Sequence, residues 1–315
     1  MPRRAIVLMN LGGPDSPQAV RPFLTNLFSD PAIITLPLPL RWPLARVIAR
    51  RRTEVALDIY NHLGGGSPLL ANTEAQARAL EAVLGEENRC FVSMRYWHPF
   101  AREAAAAVAA WRPDEIVCLP LYPQFSTTTT GSSLADWRRE ATRQGLDCPM
   151  RIVQSYPTTP GFIAALAAII GPVLEQVEGH RKIRLLLSAH GLPLRIVRAG
   201  DPYPAQIEET AAAVIAALGR PKLDWLVSYQ SRVGPLAWLG PGTDEEIRRA
   251  GQEGIALVVA PISFVSEHSE TLVELDRDYR RRAEACGVPG YYRVPTVGTD
   301  SRFIAALAEL VETAK

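Results

Sequence analysis

The stretch Leu185-Leu186-Leu187-Ser188-Ala189-His190-Gly191-Leu192-Pro193 sets the fold: its apolar start suits a strand buried on both faces, and the run stops abruptly at Ser188, Ala189, His190 and Gly191. In open α/β sheets ligands bind just outside the carboxyl ends of the strands, so a histidine at this place is positioned for chemistry. A hydrogen-bonded loop histidine with a structural role is the competing reading, and the neighbouring strand ends must decide between them.

Short runs rich in Val, Ile and Leu recur at residues 5–10, 89–94, 115–121, 150–154, 183–189, 224–229, 255–261 and 291–294. Most are separated by segments of helical periodicity, such as 73–84, 101–111, 204–218 and 243–250. Alternation of strand and helix predicts parallel sheets with helices on both faces. The fold expected is α/β, two doubly wound Rossmann-like domains, each with a four-stranded parallel sheet flanked by helices. The first covers residues 1–155 and the second 156–299, with the last helix, 300–315, packing back on the first.

At 315 residues the chain is long enough for two cores, and its 47% hydrophobic and 21% charged residues are those of an ordinary globular protein. A formal net charge of +1 gives no bulk attraction to nucleic acid, so no nucleic-acid partner is expected. Cys90, Cys118, Cys148 and Cys286 are far apart with no metal-ligand spacing, which suits a reducing, cytoplasmic setting. Arg3 and Arg4 lead straight into a strand, so no secretory signal is expected. The apolar helical run at 162–170 is far short of the roughly 18 to 20 residues that span a bilayer. Residues 36–49 resist the scheme, because Pro37, Pro39 and Pro43 are expected to exclude a regular helix at the start of this leucine-rich segment. Two readings stay open: a buried connection, or an apolar lip that touches the inner face of a membrane peripherally beside Arg50, Arg51 and Arg52.

The strand ends carry the polar and aromatic chemistry. Asn10, then Arg95 to His98, then Tyr122 to Ser133 follow strands of the first half; His190, Gln230 to Arg232, and Ser263 to His268 follow those of the second. Gly64, Gly65 and Gly66 match neither GxGxxG nor the P-loop, and no GxSxG elbow surrounds Ser188. Glu267, Glu270, Glu274 and Asp278 are spaced to share one stripe of an α-helix beginning at the same edge as His190, with Arg277, Arg280, Arg281 and Arg282 as offsetting cations. A histidine facing carboxylates either binds a divalent first-row metal or moves protons. With an apolar, aromatic cleft, such a set suits delivery of a metal to a flat macrocycle and removal of its protons.

Ordered along nearly the whole chain stand Leu11-Gly12-Gly13-Pro14, Tyr60 with Gly64-Gly65-Gly66-Ser67-Pro68, Arg95-Tyr96-Trp97-His98-Pro99 and Tyr122-Pro123-Gln124. Further on are Ser188-Ala189-His190-Gly191-Leu192-Pro193, Gln230-Ser231-Arg232-Val233-Gly234-Pro235 with Trp238, and Ser266-Glu267-His268-Ser269-Glu270. In these motifs the chain resembles the ferrochelatase family, enzymes that insert ferrous iron into a porphyrin. The resemblance implies a chelatase-like fold, His190 and Glu270 as catalytic and metal-binding residues, and Glu267, Glu274 and Asp278 as a proton or metal path. It implies porphyrin contacts at Leu11, Arg52, Tyr60, Ser67, Arg95, Tyr96 and Trp238, with residues 36–49 covering the mouth of the cleft. Protoporphyrin IX and Fe2+ are then the substrates, with no tightly bound cofactor. No iron–sulfur cluster is expected, since no cysteine follows Cys286. Position 267 is Glu where several relatives have Asp. A cobalt chelatase acting on a related tetrapyrrole and a non-catalytic porphyrin carrier are the alternatives.

Overall fold

A computed structural model describes residues 2–232, 234 and 236–315; Val233 and Pro235 of the glycine-proline motif lie outside the described residues. The chain divides into two compact units, Met1–Ser155 with Leu307–Lys315, and Tyr156–Ala306. In the first, β1 (Arg4–Asn10), β2 (Asn88–Met94), β3 (Glu115–Pro120) and β4 (Met150–Ile152) pair in the order β2-β1-β3-β4. In the second, β5 (Ile183–His190), β6 (Asp224–Gln230), β7 (Ala256–Pro261) and β8 (Tyr291–Arg293) pair in the order β6-β5-β7-β8. Every pairing is parallel.

The middle strands explain the pattern. Ala5 to Leu8 of β1 and Leu185 to Leu187 of β5 are wholly buried, because helices cover both faces of each sheet. On one face of the first sheet Val7 and Met9 pack with Ala104, Val108, Leu134 and Trp137; in the second, Leu186 and Val259 pack with Ile247, Leu275 and Tyr291. Since β5 is flanked by β6 and β7, its end at His190 lies opposite Gln230, and Ser188 lies opposite Pro261. The chain's final residues belong to the first unit, where the Ile152 N–H donates to the Lys315 carbonyl at 2.7 Å.

Two expectations are corrected. Residues 36–49 do not avoid helix: a helix runs Leu38–Asn61. Pro37 stands at its N-cap and Pro39 in its first turn, where no intrahelical N–H bond is needed, and only Pro43 forfeits one inside. Leu38, Leu40, Trp42 and Val47 are exposed on it, so this segment is not a buried connection. The carboxylate segment, in turn, is π-wound over Glu270–Asp278 and passes into an ordinary helix only at Tyr279–Ala285. No helix among the described residues is long and apolar enough to cross a membrane.

Gly161 opens the helix Pro160–Gln176 against the last helix: a Cβ there would lie 2.7 Å from the Arg302 carbonyl and 2.8 Å from the Ala306 methyl. Gly161→Ala is therefore expected to destabilise the protein by about 1–3 kcal/mol, seen as an earlier urea-unfolding midpoint of the second unit.

Candidate active site

His190 closes β5, and three contacts fix it. Its N–H donates to Ser263 Oγ at 3.2 Å, its carbonyl accepts from the Tyr203 hydroxyl at 3.1 Å, and its Nδ1 lies 2.7 Å from Glu270 Oε2. A carboxylate only accepts, so Nδ1 carries the proton and the neutral ring presents its lone pair at Nε2. The His190 side chain is 41% exposed, which leaves that edge open to a ligand. Phe264 stands edge-on to the ring at 6.5 Å. Gly191 next to it is needed for space, since a Cβ would meet the Gln230 carbonyl at 2.8 Å and the Trp238 ring at 3.3 Å.

Electrostatics couple the pair. Burial opposes a charged imidazole, but the Glu270 charge, its hydrogen bond and Glu274 outweigh it and hold the His190 pKa above its ordinary 6.5. Burial likewise opposes the Glu270 carboxylate, and His190, then His268 and Ser231, overcome it and bring the Glu270 pKa down to about 2. Glu274 goes the other way, raised by burial and then by the Glu270 charge beside it.

Glu274 is nonetheless heavily bonded. Its Oε1 accepts from the Ser231 N–H at 2.8 Å and the Tyr279 hydroxyl at 3.0 Å, and its Oε2 from Gln230 Nε2 at 3.1 Å and from the Ser231 hydroxyl. Burial and the Glu274 charge keep the Tyr279 hydroxyl protonated, so it serves as a donor. Gln230 and Ser231, placed at a strand end by the sequence but given no role there, and Tyr203 and Tyr279 also belong to the site; Gln230 ends the strand paired with β5 and Ser231 follows it.

The expected four-carboxylate stripe reduces to Glu270 and Glu274. Glu267 precedes the π-helix and turns to Arg293 Nη1, at 2.8 Å, and the Thr296 N–H, at 2.9 Å. Asp278 pairs with its neighbour Arg277 at 2.8 Å. Glu267 lies outside the helix, which starts only at Glu270, and Asp278 ends the π-wound segment beside Arg277. Of the arginines, Arg277 offsets Asp278 as expected, whereas Arg280 pairs with Asp276 and Arg282 with Asp244.

Trp238 is held beside Gly191 by backbone bonds from Leu194 to Ala237 and from Leu239 to Leu192. In the first unit, Leu11 packs half-buried on a cluster that contains Tyr60 and the fully buried Tyr96. The Tyr96 hydroxyl donates to Asp30 at 2.7 Å, and Arg95 joins Asp30 at 2.8 Å and Ser132 at 2.7 Å. These two side chains are thus committed to a buried network with Asp30. Arg52 is half-buried on the helix Leu38–Asn61, and Ser67 anchors its loop through its N–H to the Pro14 carbonyl at 2.7 Å. A cavity of about 590 Å³ lies over Arg95, Trp97, Asp136 and Arg139, and none of His190, Glu270 or Glu274 lines it.

Comparison with known proteins places this geometry in context. The Ferrochelatase family model matches residues 3–315. A ferrochelatase of Phenylobacterium zucineum is 57% identical over 311 residues, covering 97% of this chain and 89% of that protein. One of Caulobacter vibrioides is 55% identical over 312 residues, covering 98% and 89%. Among solved structures, SirB from Bacillus subtilis with Fe3+ aligns with a TM-score of 0.56 at 12% identity over 98% of this chain and 94% of that one. CbiX, described as the terminal enzyme for siroheme biosynthesis in denitrifying bacteria, aligns with a TM-score of 0.52 at 17% identity over 99% of both. At such identities these two likenesses speak for the fold alone.

The ion pair makes a pH-dependent contribution to folding. The Glu270 part is complete above the ordinary carboxyl value of 4.5 and is lost as pH falls toward about 2. The His190 part is complete below 6.5 and is lost as pH rises through its raised value. In Glu270→Gln the charge that raises His190 is gone while burial remains. Its imidazole pKa, read by NMR titration of the free protein, is expected to fall below that of the parent.

Proposed function

Because this chain belongs to the ferrochelatase family, we propose that it inserts Fe2+ into protoporphyrin IX to give protohaem, as a lyase of haem biosynthesis, with His190 and Glu270 at the reacting centre. The observation that carries the assignment of residues is the Nδ1 bond of His190 to Glu270 at 2.7 Å, which turns a basic Nε2 outward from the end of β5. Iron and porphyrin are both substrates. As the metal bonds to the ring nitrogens, two pyrrole N–H bonds break and two protons must leave. The Nε2 lone pair accepts a pyrrole proton, and the positive charge that forms on the imidazole is stabilised by Glu270. Glu274, whose pKa burial and Glu270 raise, is suited to hold a proton within the same cluster. Glu267 and Asp278, turned to Arg293 and Arg277, support the ends of the π-helix instead.

Bending the macrocycle exposes its nitrogens, at a cost of about 1–5 kcal/mol drawn from binding energy elsewhere on the ring. We assign that binding to Leu11, Arg52, Ser67 and Trp238. Tyr60 and Tyr96 are buried behind the surface, and Asp30 fixes the polar atoms of Tyr96 and of Arg95, which borders the cavity beside Trp97. No resident cofactor is required by this chemistry. The four cysteines are dispersed, Cys90 in β2, Cys118 in β3, and Cys148 and Cys286 elsewhere, which does not suit an iron–sulfur cluster.

Peripheral membrane contact is a second part of the reading, and it rests on the helix Leu38–Asn61. Leu38, Leu40 and Trp42 are 62%, 60% and 51% exposed, and Arg46, Arg50 and Arg51 stand exposed on the same helix. Arg46 lies 4.1 Å over the Trp42 ring. An apolar ridge beside arginines suits the surface of an anionic bilayer.

Anaerobic mixing of the protein with protoporphyrin IX and Fe2+ is expected to produce the protohaem spectrum. A spectral shift without metal uptake would mark a carrier, and metallation of a sirohydrochlorin-type ring by Co2+ in preference would mark the cobalt enzyme. His190→Ala is expected to lower kcat by about 10²–10⁴-fold with porphyrin binding, followed by fluorescence quenching, retained. The protein should also sediment with phosphatidylglycerol vesicles at low salt. A Leu38→Ser, Leu40→Ser, Trp42→Ser variant should not, while keeping its insertion activity toward detergent-dispersed porphyrin.

A further inference from the structure

Ser231 follows the last residue of β6 with a φ of 60°, a left-handed conformation that a non-glycine residue adopts only against a steric cost. Among the described residues the only other non-glycine in this region is Arg112, which caps a helix. No helix end or hairpin turn requires it at Ser231. What the conformation does is aim both donors of the residue at the π-helix. The Ser231 N–H reaches Glu274 Oε1 at 2.8 Å, its hydroxyl donates to Glu274 Oε2, and the same Oγ stands 3.4 Å from Glu270 Oε2. That Glu270 oxygen is the one bonded to His190 Nδ1.

The strand beneath is built to hold this arrangement. Gln230, Ser188, Ser228 and Thr243 are completely buried. The Ser188 hydroxyl donates to Gln230 Oε1 at 2.9 Å, which fixes the amide so that Nε2 faces Glu274 Oε2 at 3.1 Å and the Glu270 carbonyl at 3.3 Å. Thr243 links Ser188 and Ser228, at 3.4 and 2.9 Å. The buried serine whose surroundings exclude a hydrolase nucleophile therefore sets the orientation of the residue before Ser231. Two half-buried carboxylates on one π-helix repel, and without a donor between them Glu270 would be free to turn from His190.

We propose that Ser231 is a positioning residue for metal insertion: its hydroxyl, carried in a left-handed backbone, clamps Glu274 and borders Glu270 so that Glu270 stays against His190. This rests on the chelatase reading given above. Ser231 touches neither the iron nor the ring in this role, so its loss should slow the chemical step without weakening porphyrin binding.

Ser231→Gly isolates the hydroxyl, because glycine accepts the left-handed backbone and keeps the N–H bond to Glu274. The expected result is a kcat for protoporphyrin metallation lowered about 10- to 100-fold with an unchanged porphyrin KM. Its melting temperature should be no lower than the parent's. Ser231→Ala should show the same kcat loss at lower thermal stability than the glycine variant. In the free protein, the low-field Nδ1–H resonance of His190 should shift or broaden in Ser231→Gly. Parental kcat in Ser231→Gly, or a loss that appears in KM alone, overturns the proposal, as does an unaltered His190 resonance. Failure of the parent protein to metallate porphyrin would instead defeat the chelatase reading, leaving the resonance to decide whether Ser231 positions Glu270.

Discussion

At the carboxyl end of β5 one charge-assisted hydrogen bond, His190 Nδ1 to Glu270 Oε2 at 2.7 Å, joins the middle strand of a sheet to the first residue of a π-helix. Much in the second unit is arranged around that bond. The backbone of His190 is pinned by Ser263 and Tyr203 so that the ring cannot follow the strand's twist, and Gly191 leaves room for Trp238 to close over the next residue. Glu270 and Glu274, on the π-wound segment, are both held by the end of β6, an element they do not adjoin in sequence. π-turns recur at functional sites because their irregular hydrogen bonding is retained only where surrounding contacts compensate.

The two units use one scaffold with different chemistry. Their strand orders correspond, β2-β1-β3-β4 and β6-β5-β7-β8, so Asn10 at the end of β1 takes the place that His190 takes at the end of β5. Each third strand ends in proline, and each is followed by a π-wound segment, Thr127–Gly131 and Glu270–Asp278. Counting from the two prolines, Thr129 and Ser133 fall at the sequence distances that Glu270 and Glu274 have in the second unit. Asn10 is buried and spends its amide on Thr73 at 3.0 Å, and Arg95, the counterpart of Ser231, is committed to Asp30. At these strand ends the first unit carries hydroxyls and a closed Arg–Asp pair, where the second carries the His190–Glu270 pair and Glu274.

Strand positions and the parallel topology were legible because buried parallel strands are continuous apolar runs, and a run that stops at His190 marks its own end. That His190 and the segment carrying Glu270 share one edge was legible because both follow strands of one half; their direct hydrogen bond was not. Four other features were not legible. Pro39 reads as a helix breaker, yet in the first turn a missing N–H costs nothing. Glu267 and Asp278 share the acid spacing of Glu270 and Glu274, and only the structure shows that Arg293 and Arg277 hold them. Ser231 carries no compositional mark, since its role depends on a positive φ that serine has no intrinsic tendency to adopt. Tyr96 and Arg95 stand in a motif that points to ligand contact, and only the position of Asp30 reveals that their polar atoms are already engaged.

A base whose pKa is raised is a better proton acceptor but is also more often already protonated. His190 is caught between these effects, since Glu270 strengthens its basicity and at the same time favours its charged form. Porphyrin metallation releases two protons, so a histidine that has taken one must be unloaded or joined by a second acceptor. In the proposed reaction Glu274 suits that requirement, since its pKa is raised by burial and the Glu270 charge while that of Glu270 is lowered. Protonation of Glu274 would relieve its repulsion with Glu270, and so would leave Glu270 free to go on stabilising the imidazolium. The two carboxylates are therefore unequal by construction. One is held charged against His190, and the pKa of the other is raised by burial and by the charge of the first.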